Sequence, residues 1–159
     1  MWSFHFLEHH RKARLKNMVD PDYNRSVFGV HAQGKEAAGL LLAALVHAPL
    51  FPVAPFFTGA VLFSIGNYYV KHRRSHEDPE WARTNLPWHY DHHMGPDQHK
   101  NWCVTHPWFD HLMGTRRPYV GTELERQDRE RREKSRQRKE AQVEETATGP
   151  ETSPTREAA

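Results

Sequence analysis

The sequence is almost without cysteine. Cys103 stands alone among 159 residues, so no internal disulfide can form, and the thiol pairs of a zinc ribbon or iron–sulfur site are missing. Any metal held by this chain must rest on nitrogen and oxygen donors. Charge of one sign is equally scarce: 22 Lys and Arg against 20 Asp and Glu leave a net charge of +2. The basic residues of the C-terminal third are mixed with acidic ones, which sets nucleic acid aside as a partner. There is no G-x-G-x-x-G dinucleotide fingerprint and no C-x-x-C-H haem attachment. The H-E-x-x-H pattern of zinc peptidases is missed by one place, since Glu8 in His5-Phe6-Leu7-Glu8-His9 stands next to the second histidine. No basic segment leads into an apolar core at the N-terminus, so it is not a secretory signal, and it reads more like the middle of a protein than its beginning.

Histidine is what the chain has in excess, 13 residues, and eight of them fall into three groups. His89-Tyr90-Asp91-His92-His93 is an H-x-x-H-H box, His5 with His9 and His10 forms H-x-x-x-H-H, and His72 with His76 forms H-x-x-x-H. Residues three and four apart share a helix face, so each box can aim its imidazoles from one rigid element. Imidazole suits zinc, copper and iron alike. A structural zinc takes four ligands, whereas eight clustered histidines are better matched by a two-metal centre, and a nitrogen-rich, thiol-free site suits iron and oxygen chemistry. His31, His47, His99, His106 and His111 stand outside the boxes and are expected in loops, at turns or in packing.

Apolar residues concentrate between Ala37 and Val70, interrupted by Pro49, Pro52 and Pro55. Prolines at this density end helices. The pattern therefore predicts a helix from about Gly34 to His47, a proline turn, and a second helix from about Phe56 to Lys71. A membrane crossing needs roughly 20 apolar residues, which neither limb supplies alone. A hairpin that enters a bilayer and returns is the expected form, its basic flanks placing both termini and all the boxes on the cytoplasmic side. Before it, Ser3 to Lys16 reads as a helix broken at Asp20-Pro21-Asp22; after it, Pro79 to Leu86 reads as a short helix or loop. Trp81, Trp88, Trp102 and Trp108 serve as packing or as an interfacial belt. From Glu123 to Glu140 eight basic and six acidic residues lie at helical spacings, which supports a solvated helix. The expected organisation is all-α: a membrane metal-binding domain over 1–120 with a histidine-rich helical cap, a charged helix over 121–143, and a disordered tail over 144–159.

In order and spacing, the three boxes resemble those of the fatty acid hydroxylase and sterol desaturase superfamily. Asn101-Trp102-Cys103-Val104-Thr105 and Trp108-Phe109-Asp110-His111-Leu112-Met113-Gly114-Thr115 look like that family's closing segment. The resemblance covers roughly Phe4 to Arg116. It implies a membrane oxidoreductase in which His5, His9, His10, His72, His76, His89, His92 and His93 hold two non-haem irons. Such a centre activates dioxygen to hydroxylate or desaturate a fatty acid, sterol or related lipid. It also implies a separate electron donor, a cytochrome, ferredoxin or reductase, and Asp91 and Asp110 as partners that orient the imidazoles. Members normally carry another histidine box on an upstream membrane helix, so the resemblance implies a start further upstream. The alternative is a non-catalytic or incomplete membrane-associated protein with zinc at these histidines.

Overall fold

The computed structural model describes residues 5–148, except for the side chains of 5–7 and 147–148. All the regular structure among them is helical, as the all-α reading expects. The chain divides into two compact units, Met1–Val120 and Gly121–Ala159.

The first unit opens with a π-helical turn, His5–His10, that runs directly into α1, Arg11–Leu15. A π turn is rare and costs hydrogen-bond geometry, and such turns recur at functional sites. Asp20 caps the following 3₁₀ turn, Pro21–Asn24, by accepting from the Asp22 amide. Helix α2, Ala32–His47, starts two residues before the expected Gly34, with the His31 ring as its N-terminal cap. The prolines act as expected: a short 3₁₀ turn, Ala48–Leu50, closes the first limb, and Pro55 opens the second in the first helical position, where its missing N–H costs nothing. That second limb, α3, spans Pro55–Glu77, well past the expected Lys71, so His72 and His76 lie on the hairpin helix itself. Helices α4, Pro79–Asn85, and α5, Pro87–Met94, follow with a proline opening each, and α6, Trp108–Leu112, lies in the closing segment.

The expectation of an integral membrane protein is corrected here. Among the described residues no helix is long and apolar enough to cross a membrane. Helix α2 has 16 residues, about 24 Å at 1.5 Å per residue, against roughly 30 Å of hydrocarbon. Helix α3 is longer, but its last turns carry Lys71, His72, Arg73, Arg74, His76 and Glu77. With the membrane hairpin go the membrane-bound cap and the assignment of boxes and termini to a cytoplasmic face. The two limbs do pair as a hairpin, with Leu42, Val46, Phe56 and Phe63 on its outer surface.

The apolar core of this unit is small, Met18, Ala82, Tyr90, Met94 and Tyr119, flanked by Trp81 and Val120. Much of the remaining interior is histidine, tyrosine and carboxylate.

The second unit is dominated by α7, Glu123–Thr148, which continues past Val143. The tail expected from Glu144 is therefore helical as far as Thr148, and 149–159 lie outside the described residues. Arg126 pairs with Glu123 and Glu130, Arg131 with Asp128, and Arg136 with Glu133 and Glu140, all one turn apart.

Candidate metal centre

Seven of the eight boxed histidines are buried side by side. His92 is 4 % exposed, and His9, His10, His72, His76, His89 and His93 are 1 % or less. The side chain of His5 lies outside the described residues. The π turn and the start of α1 present His9 and His10, the last turns of α3 present His72 and His76, and α5 presents His89, His92 and His93. Arg14 ties the first of these elements to the third by donating to the backbone oxygens of His93, at 3.1 Å, and Gly95, at 2.9 Å. A guanidinium at the C-terminal end of α5 also complements the helix dipole.

One nitrogen from each of His9, His72, His76 and His93 lies within 4.8 Å of the other three. Around this group, His76 Nε2 approaches His89 Nε2 at 3.4 Å, and His10 Nε2 approaches His92 Nε2 at 3.1 Å. His93 is the hub, its ring 4.4 Å from His10, 4.6 Å from His76, 4.7 Å from His89 and 4.9 Å from His9, centroid to centroid.

Five of the imidazoles are held from behind. His76 Nδ1 donates to the Met18 carbonyl at 2.8 Å, and His92 Nδ1 to the Lys100 carbonyl at 2.7 Å. A carbonyl oxygen only accepts, so Nδ1 carries the proton in both rings and Nε2 is left with a lone pair. His9 Nδ1 faces Asp20 Oδ2 at 2.8 Å, His72 Nδ1 faces Glu36 Oε1 at 2.6 Å, and His10 Nδ1 lies 3.0 Å from the Gln98 side-chain amide. This is how metal-binding histidines are oriented, through the ring nitrogen that does not bind. The backbone takes left-handed φ at Asn17 and Met18, +53° and +73°. Met18 in that conformation costs on the order of 1–3 kcal/mol, and its carbonyl is the one that meets His76.

The group's electrostatics favour neutral, ligating imidazoles. Burial, reinforced by the surrounding rings, holds His89 and His93 well below the ordinary 6.5, and burial also lowers His92. Burial raises Asp20. It pushes Glu36 the same way, but His72 and hydrogen bonds from His72, Tyr23 and Tyr68 outweigh it, and the carboxyl sits below its usual range. Tyr23 donates to Glu36 Oε2 at 2.7 Å while its ring stacks on His76 and lies edge-on to His72.

The donor set fits a metal ion by a direct test. His72 Nε2, His89 Nδ1 and both ring nitrogens of His93 are buried with no hydrogen-bond partner. Leaving a buried polar atom unsatisfied costs about 1–3 kcal/mol, and four together are accounted for when a cation takes their lone pairs. The buried histidine group can hold a metal ion; the nitrogens alone do not choose which.

Asp91 and Asp110 bind backbone and neighbouring side chains rather than imidazole. Asp91 Oδ1 accepts from the Tyr119 and Val120 amides, and its Oδ2 pairs with Arg116 at 2.6 Å. Asp110 accepts from the Trp102 and Cys103 amides and from the Thr115 hydroxyl. Asp110 reaches His92 through the loop that carries the Lys100 carbonyl. The groups that do touch the rings, Asp20, Glu36, Gln98 and two carbonyls, escape sequence reading because each lies outside the boxes. The only signal for them was a buriable carboxylate beside a helix start, Asp20 at its proline break and Glu36 at the head of the apolar block. Of the histidines outside the boxes, His31 caps α2 and His47 reaches the Ala43 carbonyl at 2.8 Å.

No family model matches this chain, and neither the curated proteins nor the solved structures contain a match to it.

Proposed function

We propose that this chain is an oxidoreductase of the fatty acid hydroxylase and sterol desaturase type, using two histidine-bound irons and dioxygen to hydroxylate or desaturate a lipid. The observation that carries the reading is the convergence of seven buried histidines from three separate segments, four of them with nitrogens within 4.8 Å of one another. Four imidazoles complete one ion's coordination; His10, His89 and His92 beside them supply donors for a second. A bound iron pair supplies the activation of dioxygen and the removal of hydrogen from an unactivated carbon–hydrogen bond.

The chain's own residues do the rest. His93 and His76 hold the middle of the group, Met18, Lys100, Asp20 and Glu36 keep lone pairs turned inward, and the tight burial excludes bulk water. Outward apolar residues on the α2–α3 hairpin, such as Leu42 and Phe63, offer surface to a hydrocarbon substrate. Electrons come from a separate protein donor, since the chain carries no dinucleotide or haem motif.

Elemental analysis of the purified chain, alone and extended to any in-frame upstream start, tests this beside a variant with His89, His92 and His93 changed to Ala. Near two irons per chain, lost in the variant, with oxygen-dependent lipid turnover, is the expected result. One specific observation favours a second reading: the tightest group contains four nitrogen donors, the number a closed structural zinc site takes. Stoichiometric zinc without turnover would establish that alternative.

A further inference from the structure

Two buried carboxylates stand directly behind the four-histidine group, and neither has a lysine or arginine against it among the described residues. Glu36 Oε1 lies 2.6 Å from His72 Nδ1, and its remaining contacts are the hydroxyls of Tyr23 and Tyr68. Asp20 Oδ2 lies 2.8 Å from His9 Nδ1, with Oδ1 taken by the Asp22 amide. Nearby Lys12 pairs with Asp22, and Lys35 with Glu8. A buried anion without a counter-charge is costly, by several kcal/mol per ion even after relaxation. Two such anions, each one imidazole away from the same four nitrogens, balance two positive charges placed between those nitrogens. Tyr23 and Tyr68 bring hydrogen bonds but no charge, so they leave this balance unmet.

We propose that Asp20 and Glu36 are positioning residues that set the His9, His72, His76 and His93 group for a divalent over a monovalent cation, each turning one imidazole and supplying one of two outer negative charges. The inference depends on reading the group as a metal centre, but not on iron or on oxygen chemistry. At equal distance a carboxylate attracts a doubly charged ion twice as strongly as a singly charged one. Removing the charge while keeping the hydrogen bond therefore separates its two roles. Glu36→Gln and Asp20→Asn do so, since the amide oxygen still accepts from Nδ1.

The test uses the full metal-free chain. Co2+ is titrated by its visible d–d absorption, and Cu+ is titrated anaerobically against a competing chelator. Each variant is expected to lose roughly 10–100-fold in Co2+ affinity, the usual cost of losing a group that orients a ligand. The loss in log affinity for Cu+ should be about half as large. Equal fold losses for the two ions would overturn the proposal, as would no loss, or a wild-type chain that binds neither. If far-UV circular dichroism shows a variant unfolded, Glu36→Asp, which keeps the charge, must retain the wild-type ratio of Co2+ to Cu+ affinity; a changed ratio overturns the proposal. Absence of iron or turnover beside intact Co2+ preference would remove the oxygenase reading and leave this one standing.

Discussion

His93 touches more of its group than any other side chain in the cluster, yet neither of its ring nitrogens has a hydrogen-bond partner. Replacing it by Gln should lower metal affinity at least about 100-fold, the upper end of what even an outer group costs. His111→Gln, outside the cluster, should leave affinity unchanged in the same titration. The low pKa of His89 and His93 has a second consequence, for the metal-free chain. In the unfolded state both rings take up protons as the pH drops through about 6.5, while the buried rings do not. Stability is therefore full above that value and declines below it, by up to about 1.4 kcal/mol per pH unit for each group, until the lowered folded values are reached. Urea unfolding at pH 7.5 and 5.5 measures this, and a stability that holds or rises on acidification would contradict it. At this scale the boxes were legible because helical spacing announces them, whereas Glu36 and Asp20 were not. Nothing in a sequence of 159 residues ties position 36 to position 72 or position 20 to position 9.

Among the elements, the hairpin shows most plainly where pattern stops being decisive. The prolines located its turn, because they forbid helix interiors whatever the surroundings. The end of α3 was missed by six residues, Lys71 against Glu77, because apolar content was allowed to define the helix. Its last turns are instead polar and held by tertiary contacts, with His72 and His76 facing inward. The same reliance on apolar content suggested a membrane crossing that neither limb is long and apolar enough to make. The outer surface of the hairpin nonetheless leaves Phe56 93 % exposed and Phe63 72 % exposed, more contiguous apolar surface than a monomer ordinarily shows. The chain should therefore brighten a hydrophobic fluorescent dye in its folded state, and Phe56→Lys with Phe63→Lys should reduce that signal by more than half without changing metal content. An unchanged signal would place the dye elsewhere. Helix α7 was legible from charge alone, since its pairs are local. Exposed one-turn pairs contribute only about 0.3–0.5 kcal/mol each and are screened by salt.

For the molecule as a whole, every described ligand candidate lies in the first unit. A chain ending at Val120 should bind metal with the affinity of the full chain, within about twofold given that distant sites act independently; a larger fall would show that the second unit shapes the site. The fold class was readable because helix periods, prolines and caps are short-range. The assembly of the site was not, since it depends on contacts such as that between His10 and His92, 82 positions apart. That separation also governs how the protein is made. A cation held jointly by the π turn, α3 and α5 works as a clasp across nearly the whole first unit, and it can be seated only once all three have met. Metal uptake is then a report of completed folding. Stripping the ion reopens the largest loop in the chain, so chelation should turn a protease-resistant unit into one cut first between Asn24 and His31.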